Sequence, residues 1–246
     1  MILGLEFPPI ENIVEWPGFF NKVAFINVFA LVATSLLFLV AGSKKALVPR
    51  GVQNLAEVSV EFVEKQIIEP GIGHGGEKYM PLLMSMFFFV FFGNIFEVIP
   101  FFNMPSNARM ANPMILALLT WAMFICVGLR HHGLGYIKGA LFPPGVPKAL
   151  YILVTPIEFL STFVVRPFSL AVRLFANMLA GHILLVTFSV LCITLWALSP
   201  LVLALPLSFF MLVALTGFEV LVAFLQAYIF TILSAVYIGG ALHPDH

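Results

Sequence analysis

The sequence has 246 residues, of which 61% are hydrophobic and only 10% charged. Soluble domains carry about 25% charged residues, so a water-soluble fold is excluded. Twelve basic side chains cancel twelve acidic ones, leaving no charge excess to attract nucleic acid.

Residues 1–18, MILGLEFPPIENIVEWPG, are acidic and lack both a basic n-region and a small-residue cleavage site. They read as a tail outside the membrane, not as a cleaved signal peptide. Apolar runs long enough for a hydrocarbon core of about 30 Å then follow. The first span covers 19–41 and ends at GSKK. Residues 53–69, QNLAEVSVEFVEKQIIE, gather Leu55, Val58, Phe62 and Val63 near one face and charges on others, which predicts an amphipathic helix on the membrane surface. Residues 81–130 hold two spans, beginning after Pro81 and Pro113. Residues 149–242 hold two longer apolar stretches separated by Ser199-Pro200.

Lipid offers no partners to backbone amides, so these runs are helices. The expected fold is an all-α integral membrane protein, a single membrane domain over 1–246. About five crossings and one surface helix are expected, the last two crossings forming a long, strongly tilted hairpin. From Lys148 to Ser199 a helix would measure about 76 Å, so the chain either turns back near Arg166-Pro167 or crosses at a steep tilt.

Five passes put the termini on opposite sides, and the basic residues choose the direction. Lys44, Lys45, Arg50, Lys65, Lys78, Arg130, Lys138 and Lys148 fall on one side, against Lys22 and Arg109 on the other. By the positive-inside rule the N-terminus lies outside and the C-terminus in the cytoplasm.

Several motifs read as bland. GIGHGG, 71–76, matches a dinucleotide-binding spacing, but no strand precedes it and no helix opens from it, so it is a connector. His131-His132 reads as a solvated loop end rather than a metal site, and no metal or cofactor is expected. Cys126 and Cys192 lie in apolar runs and read as buried thiols. Glu97, beside Pro100, reads as an interfacial carboxylate at the outer headgroups.

The stretch RPFSLAVRLFANMLAGH, 166–182, breaks the pattern. An arginine at mid-bilayer costs at least about 2.5–3.5 kcal/mol, and a guanidinium does not escape by losing its proton. Arg166, nearer the inner loop, suits snorkelling to the headgroups. Arg173, well inside the run, needs an anionic or polar partner. At 100° per residue Glu158, Thr162, Arg166, Ser169, Arg173 and Asn177 form one polar stripe, if Pro167 only kinks the helix. In the last helix Glu219 and Gln226 share a face, with Tyr237 roughly in line. A turn at Ser199-Pro200 sets Glu219, 19 residues after it, level with His182, 17 residues before it. An acid and an imidazole meeting there make either a proton relay or a structural ion pair.

LAVRLFANMLAGH, 170–182, and FEVLVAFLQAYIFTILSAVYIGGAL, 218–242, closely resemble the two signature helices of the F-type ATP synthase subunit a family. PLLMSMFFFVFFGNIFEVIPF and the order of spans extend the resemblance. It implies a non-catalytic, proton-translocating stator that couples proton flow to rotation and ATP synthesis. The implied partners are a ring of c subunits, peripheral-stalk b-type subunits, the rest of the synthase and the lipid bilayer. Arg173 matches the essential arginine facing each c-ring carboxylate, with Asn177 and Gln226 beside it. Glu219 and His182 would line an outer half-channel, and Glu158, Thr162 and Ser169 an inner one. Many bacterial members carry the acid and the imidazole the other way round; the exchange here is similar to alphaproteobacterial and mitochondrial chains. The implied location is the bacterial inner membrane. Two rivals are a stand-alone proton-coupled transporter, which would need a substrate cavity between repeats, and a purely structural anchor, which leaves the buried charges unexplained.

Overall fold

The computed structural model is built of helices, with no strand among the described residues, which are 22–43, 51–99, 102, 104–142, 147, 150–196 and 200–243. Helix α1 is Lys22–Ser43. Helix α2, Val52–Val63, runs on through a π turn at Glu64–Ile68 and a last turn at Glu69–Gly71. Met80–Ile95 is α3, Ala111–His132 is α4 and Leu134–Leu141 is α5. Tyr151–Leu160 is α6, and a π turn at Ser161–Val165 joins it to α7, Arg166–Trp196. Leu205–Leu242 is α8. The tail 1–18, Lys44, Lys45, Arg50, Lys148, Ser199 and residues 244–246 lie outside the described residues.

Among the described residues, five segments are long and apolar enough to cross a membrane: Lys22–Val40, Gly76–Ile95, Ala111–His132, Tyr151–Trp196 and Val202–Leu242. The fourth does not turn back at Arg166-Pro167. At 46 residues it is about 69 Å long. Large apolar side chains stand exposed at both its ends, Ile152 and Trp196 among them, so lipid suits its whole length. A rod of that length stays within hydrocarbon about 30 Å thick only by lying well over.

Pro167 and the π turn belong together. A proline has no N–H, so it cannot bond back into the preceding turn. The Arg166 N–H reaches past Thr162 to the Ser161 carbonyl, which frees the carbonyl of buried Thr162. The indole Nε1 of Trp121, on α4, donates to that carbonyl at 3.3 Å. An orphaned backbone acceptor is thereby satisfied by a neighbouring helix. The π turn also rotates every later side chain relative to the earlier ones, with consequences for the polar stripe.

Helix α8 packs against α3, α4 and α7, while α1 packs against α3. At its far end α8 meets the end of α2 through small residues. A Cβ on Gly239 would strike the Gly71 carbonyl oxygen, and one on Gly71 would lie 2.8 Å from the Ala235 Cβ. Such close approach is how helices associate in lipid, where apolar burial gives no advantage. Helix α2 is pinned further by Phe62, whose ring lies 5.7 to 6.0 Å from those of Phe87, Phe224 and Tyr228.

The amphipathic pattern of α2 needs correcting. Its buried face carries Gln53, Ala56, Val63, Ile67 and Ile68, while Leu55 and Val58 are both 57% exposed. The helix therefore presents apolar side chains on two sides, one to the bundle and one outward. The GIGHGG connector contains glycines at positive φ, Gly73 at 78° and Gly75 at 89°, and enters a short 3-10 turn at Gly76–Tyr79. Both cysteines are free, but Cys126 is exposed and Cys192 partly so, contrary to their reading as buried thiols.

Candidate functional site

The polar residues of the two long helices sort into three places. The first is the middle of the α7–α8 pair. Arg173 and Asn177 are one turn apart and both exposed on α7, while Gln226 of α8 is only 2% exposed. The Asn177 amide donates to Gln226 Oε1 at 2.6 Å. Arg173 makes no ion pair or hydrogen bond among the described residues. Phe168 on the same helix and Leu225 on its partner also stand exposed, so beside the Asn177 amide the exposed face of this pair carries large apolar side chains.

The second place is a cavity of about 620 Å³ at the end of the bundle where α5 and the C-terminus of α8 meet. Glu158, Thr162 and Arg166 line it, joined by Tyr136, Tyr237 and His243. The Arg166 guanidinium lies over the Tyr237 ring, 5.6 Å from its centroid. This cation–π contact turns the guanidinium towards α8. Ser169, expected in the same stripe, does not line this cavity. The stripe assumed a regular α-helix, and the π turn at Ser161–Val165 separates its first members from Arg173 and Asn177.

The third place lies towards the opposite end. Glu219 is 3% exposed, and its carboxyl group rests on Gly181, where a Cβ would collide with it. His182 follows in the chain and is partly exposed. No hydrogen bond or ion pair links it to Glu219 among the described residues. The two thus share a level with no bond between them among the described residues.

Glu97 is the residue whose burial sequence reasoning missed. It lies past the end of the α3 span, as an interfacial reading expects, but is only 3% exposed. Its carboxyl is pushed up to about 8, chiefly by burial and then by the like charge of Glu219 nearby. Beside it runs a set of amides: Asn107 Nδ2 donates to Asn94 Oδ1 at 2.6 Å, and Asn112 Nδ2 to Asn107 Oδ1 at 2.8 Å and Asn27 Oδ1 at 3.2 Å. Asn94 Nδ2, Glu97 Oε1 and Glu219 Oε2 are buried without a partner among the described residues. Buried polar atoms need partners, so this region favours water. The sequence signal was the spacing Asn94-x-x-Glu97 in an otherwise apolar span, which puts both on one helical face.

The site thus consists of a free cation at mid-length, a polar cavity at one end and a pair of buried carboxyls towards the other. A sequence profile described as "ATP synthase A chain" matches residues 23–239. A protein from Frankia alni named "ATP synthase subunit a" is 43% identical over 93% of this chain and 80% of its own length. Namesakes from Rhodococcus erythropolis, 42% identical over 97% and 88%, and Mesorhizobium japonicum, 43% identical over 93% and 89%, agree. With the profile covering most of the sequence and these relatives matching nearly end to end, the chain belongs to the ATP synthase A chain family.

Proposed function

We propose that this chain is the proton-translocating stator subunit of a membrane ATP synthase, carrying protons to and from the carboxyls of a rotating c ring through two half-channels. The observation that carries the reading is Arg173, a permanent cation exposed at mid-length among apolar side chains, with no partner among the described residues. Bare exposure to lipid would cost at least about 2.5–3.5 kcal/mol. A carboxylate on a second body passing this face removes that cost.

On this reading protons enter at the Glu97 end. Glu97 and Glu219 are close enough to interact, and the amide set beside them favours hydration. His182 stands level with Glu219 and extends the polar path. A ring carboxylate protonated here turns neutral and moves into lipid. On the far side of its rotation it reaches the cavity of Glu158, Thr162 and Arg166 and releases its proton there, Ser169 lying between that cavity and Arg173. Arg173 separates the two routes: its charge favours the ionised carboxyl and repels any proton passing directly between them. Asn177 and Gln226 hold the two helices together beside it. Lys65, Lys78, Arg130 and Lys138 cluster at the cavity end, which is therefore the cytoplasmic one; the bacterial inner membrane is the site of action. Peripheral-stalk b-type subunits would hold the chain against the ring's torque. No step of ATP chemistry falls to this chain. The stand-alone transporter reading has no support in the relatives' names.

Vesicles bearing the intact complex test it. Arg173→Ala should abolish ATP-driven proton pumping while the complex still assembles. Pumping at the normal rate by an assembled Arg173→Ala complex would refute the assignment.

A further inference from the structure

Beyond proton transport, one groove on the bundle has the chemistry of a lipid site. It lies at the cavity end, between α4 and the turn leading into α3, and encloses about 540 Å³. Its α4 wall is Met123, Cys126, Val127, Arg130 and His131, a spacing that keeps all five on one helical face. Along that stripe the chemistry changes once, from apolar to basic, where the span ends at His132. Lys78, at the start of the facing span, closes the basic end.

The charges are unbalanced. No acidic side chain lines the groove, and neither Lys78 nor Arg130 makes an ion pair among the described residues. Two basic side chains with a histidine beside them, set above an apolar slot, call for an anion that carries its own hydrocarbon. His132 is not part of this set: its ring bonds the Leu242 carbonyl at 3.0 Å and ties α4 to the end of α8. That tie holds the basic end of the stripe in place.

We infer that this groove binds one anionic phospholipid from the adjacent leaflet, its phosphate between Lys78 and Arg130 and its glycerol and upper acyl chain along Met123, Cys126 and Val127. Basic pockets between membrane helices recognise anionic headgroups in this way. The polar end is too highly charged for a neutral lipid tail, and the slot is too apolar for a free soluble anion.

The test uses the intact complex in phosphatidylcholine vesicles doped with photoreactive phosphatidylglycerol or photoreactive phosphatidylcholine. Adducts are mapped to the peptide carrying residues 123–131. Each basic contact strengthens binding about five-fold, so wild type should label with the anionic lipid at least about five-fold more than with the zwitterionic one. K78Q/R130Q should abolish that preference and K78R/R130K retain it. The single variants K78Q and R130Q, each lowering it partway, keep the comparison open if the double variant does not assemble. Excess inorganic phosphate should not compete. Equal labelling by the two lipids, a preference that survives K78Q/R130Q, competition by phosphate, or no labelling by either lipid because another subunit covers this face would each overturn the assignment.

Discussion

Asn177 donates its side-chain amide to Gln226 at 2.6 Å, one helical turn from Arg173. The bond crosses between the two long helices at the level where the free cation emerges, so it fixes their spacing and rotation there. A side-chain hydrogen bond contributes about 0.5–1.5 kcal/mol net. If its role is positional, Asn177→Ala and Gln226→Ala should each slow ATP-driven proton pumping by about three- to ten-fold. The double variant should be little worse than either single one, since both remove the same bond. Pumping rates of the four complexes give the answer. Fully multiplicative losses would mean that the two amides act separately.

Glu219 rests on a glycine. The Cβ of any other residue at 181 would collide with its carboxyl group. Overpacking of this kind costs about 1–3 kcal/mol, and the cheapest relief is for the carboxylate to move away. Gly181→Ala is therefore expected to slow proton uptake although no ionisable group is altered. Glu219→Gln, which keeps the shape and removes the acid, should slow it at least as much. Uptake into vesicles under an imposed potential measures both. A normal rate in Gly181→Ala would show that the seat of the carboxyl is immaterial.

Glu97 supplies a pH signature. Its carboxyl is pushed up to about 8, by burial first and by the neighbouring charge of Glu219 second. Since the shift is upward, the proton is held at neutral pH and lost as the pH on that side rises through about 8. Proton uptake should therefore fall across that range when only the outer pH is raised. In Glu97→Gln the inflection near pH 8 should vanish, because the amide does not titrate, leaving only the decline that follows the proton concentration itself. An identical pH profile in wild type and variant would remove Glu97 from the path.

The number of crossings and the long hairpin were legible in the sequence because each follows from run length, whereas the bond between Asn177 and Gln226 crosses two helices and was not. Arg173 was legible for a different reason: a guanidinium in a long apolar run has no neutral form to retreat to. What the spacing could not reveal was the π turn at Ser161–Val165. One Pro167 signals a disturbed helix, but whether it kinks, turns back or widens depends on neighbours such as Trp121, which are remote in sequence. The error in the polar stripe followed directly, and with it the separation of Ser169 from the cavity. The burial of Glu97 was missed because distance from the end of a span measures depth. Asn94 shares its helical face, but the 104–112 segment and α8, which complete its surroundings, are remote in sequence.

Trp121 and Pro167 make the last of these points testable. The Thr162 carbonyl is buried, has lost its usual helical donor, and takes the Trp121 indole N–H instead. Trp121 also packs edge-on against Phe163, ring centroids 6.0 Å apart, so Trp121→Phe keeps an aromatic ring there and removes the donor. Leaving a buried acceptor unsatisfied costs about 1–3 kcal/mol, and the thermal midpoint of the purified complex should fall. Pro167→Ala restores a backbone N–H one residue past Arg166, within reach of the widened turn. In the Pro167→Ala background the further change Trp121→Phe should therefore cost much less, since the freed backbone donor replaces the indole. Thermal unfolding of all four complexes measures the coupling between the two positions. If Trp121→Phe is equally damaging with and without the proline, the indole matters for its packing, and the π turn does not depend on its hydrogen bond.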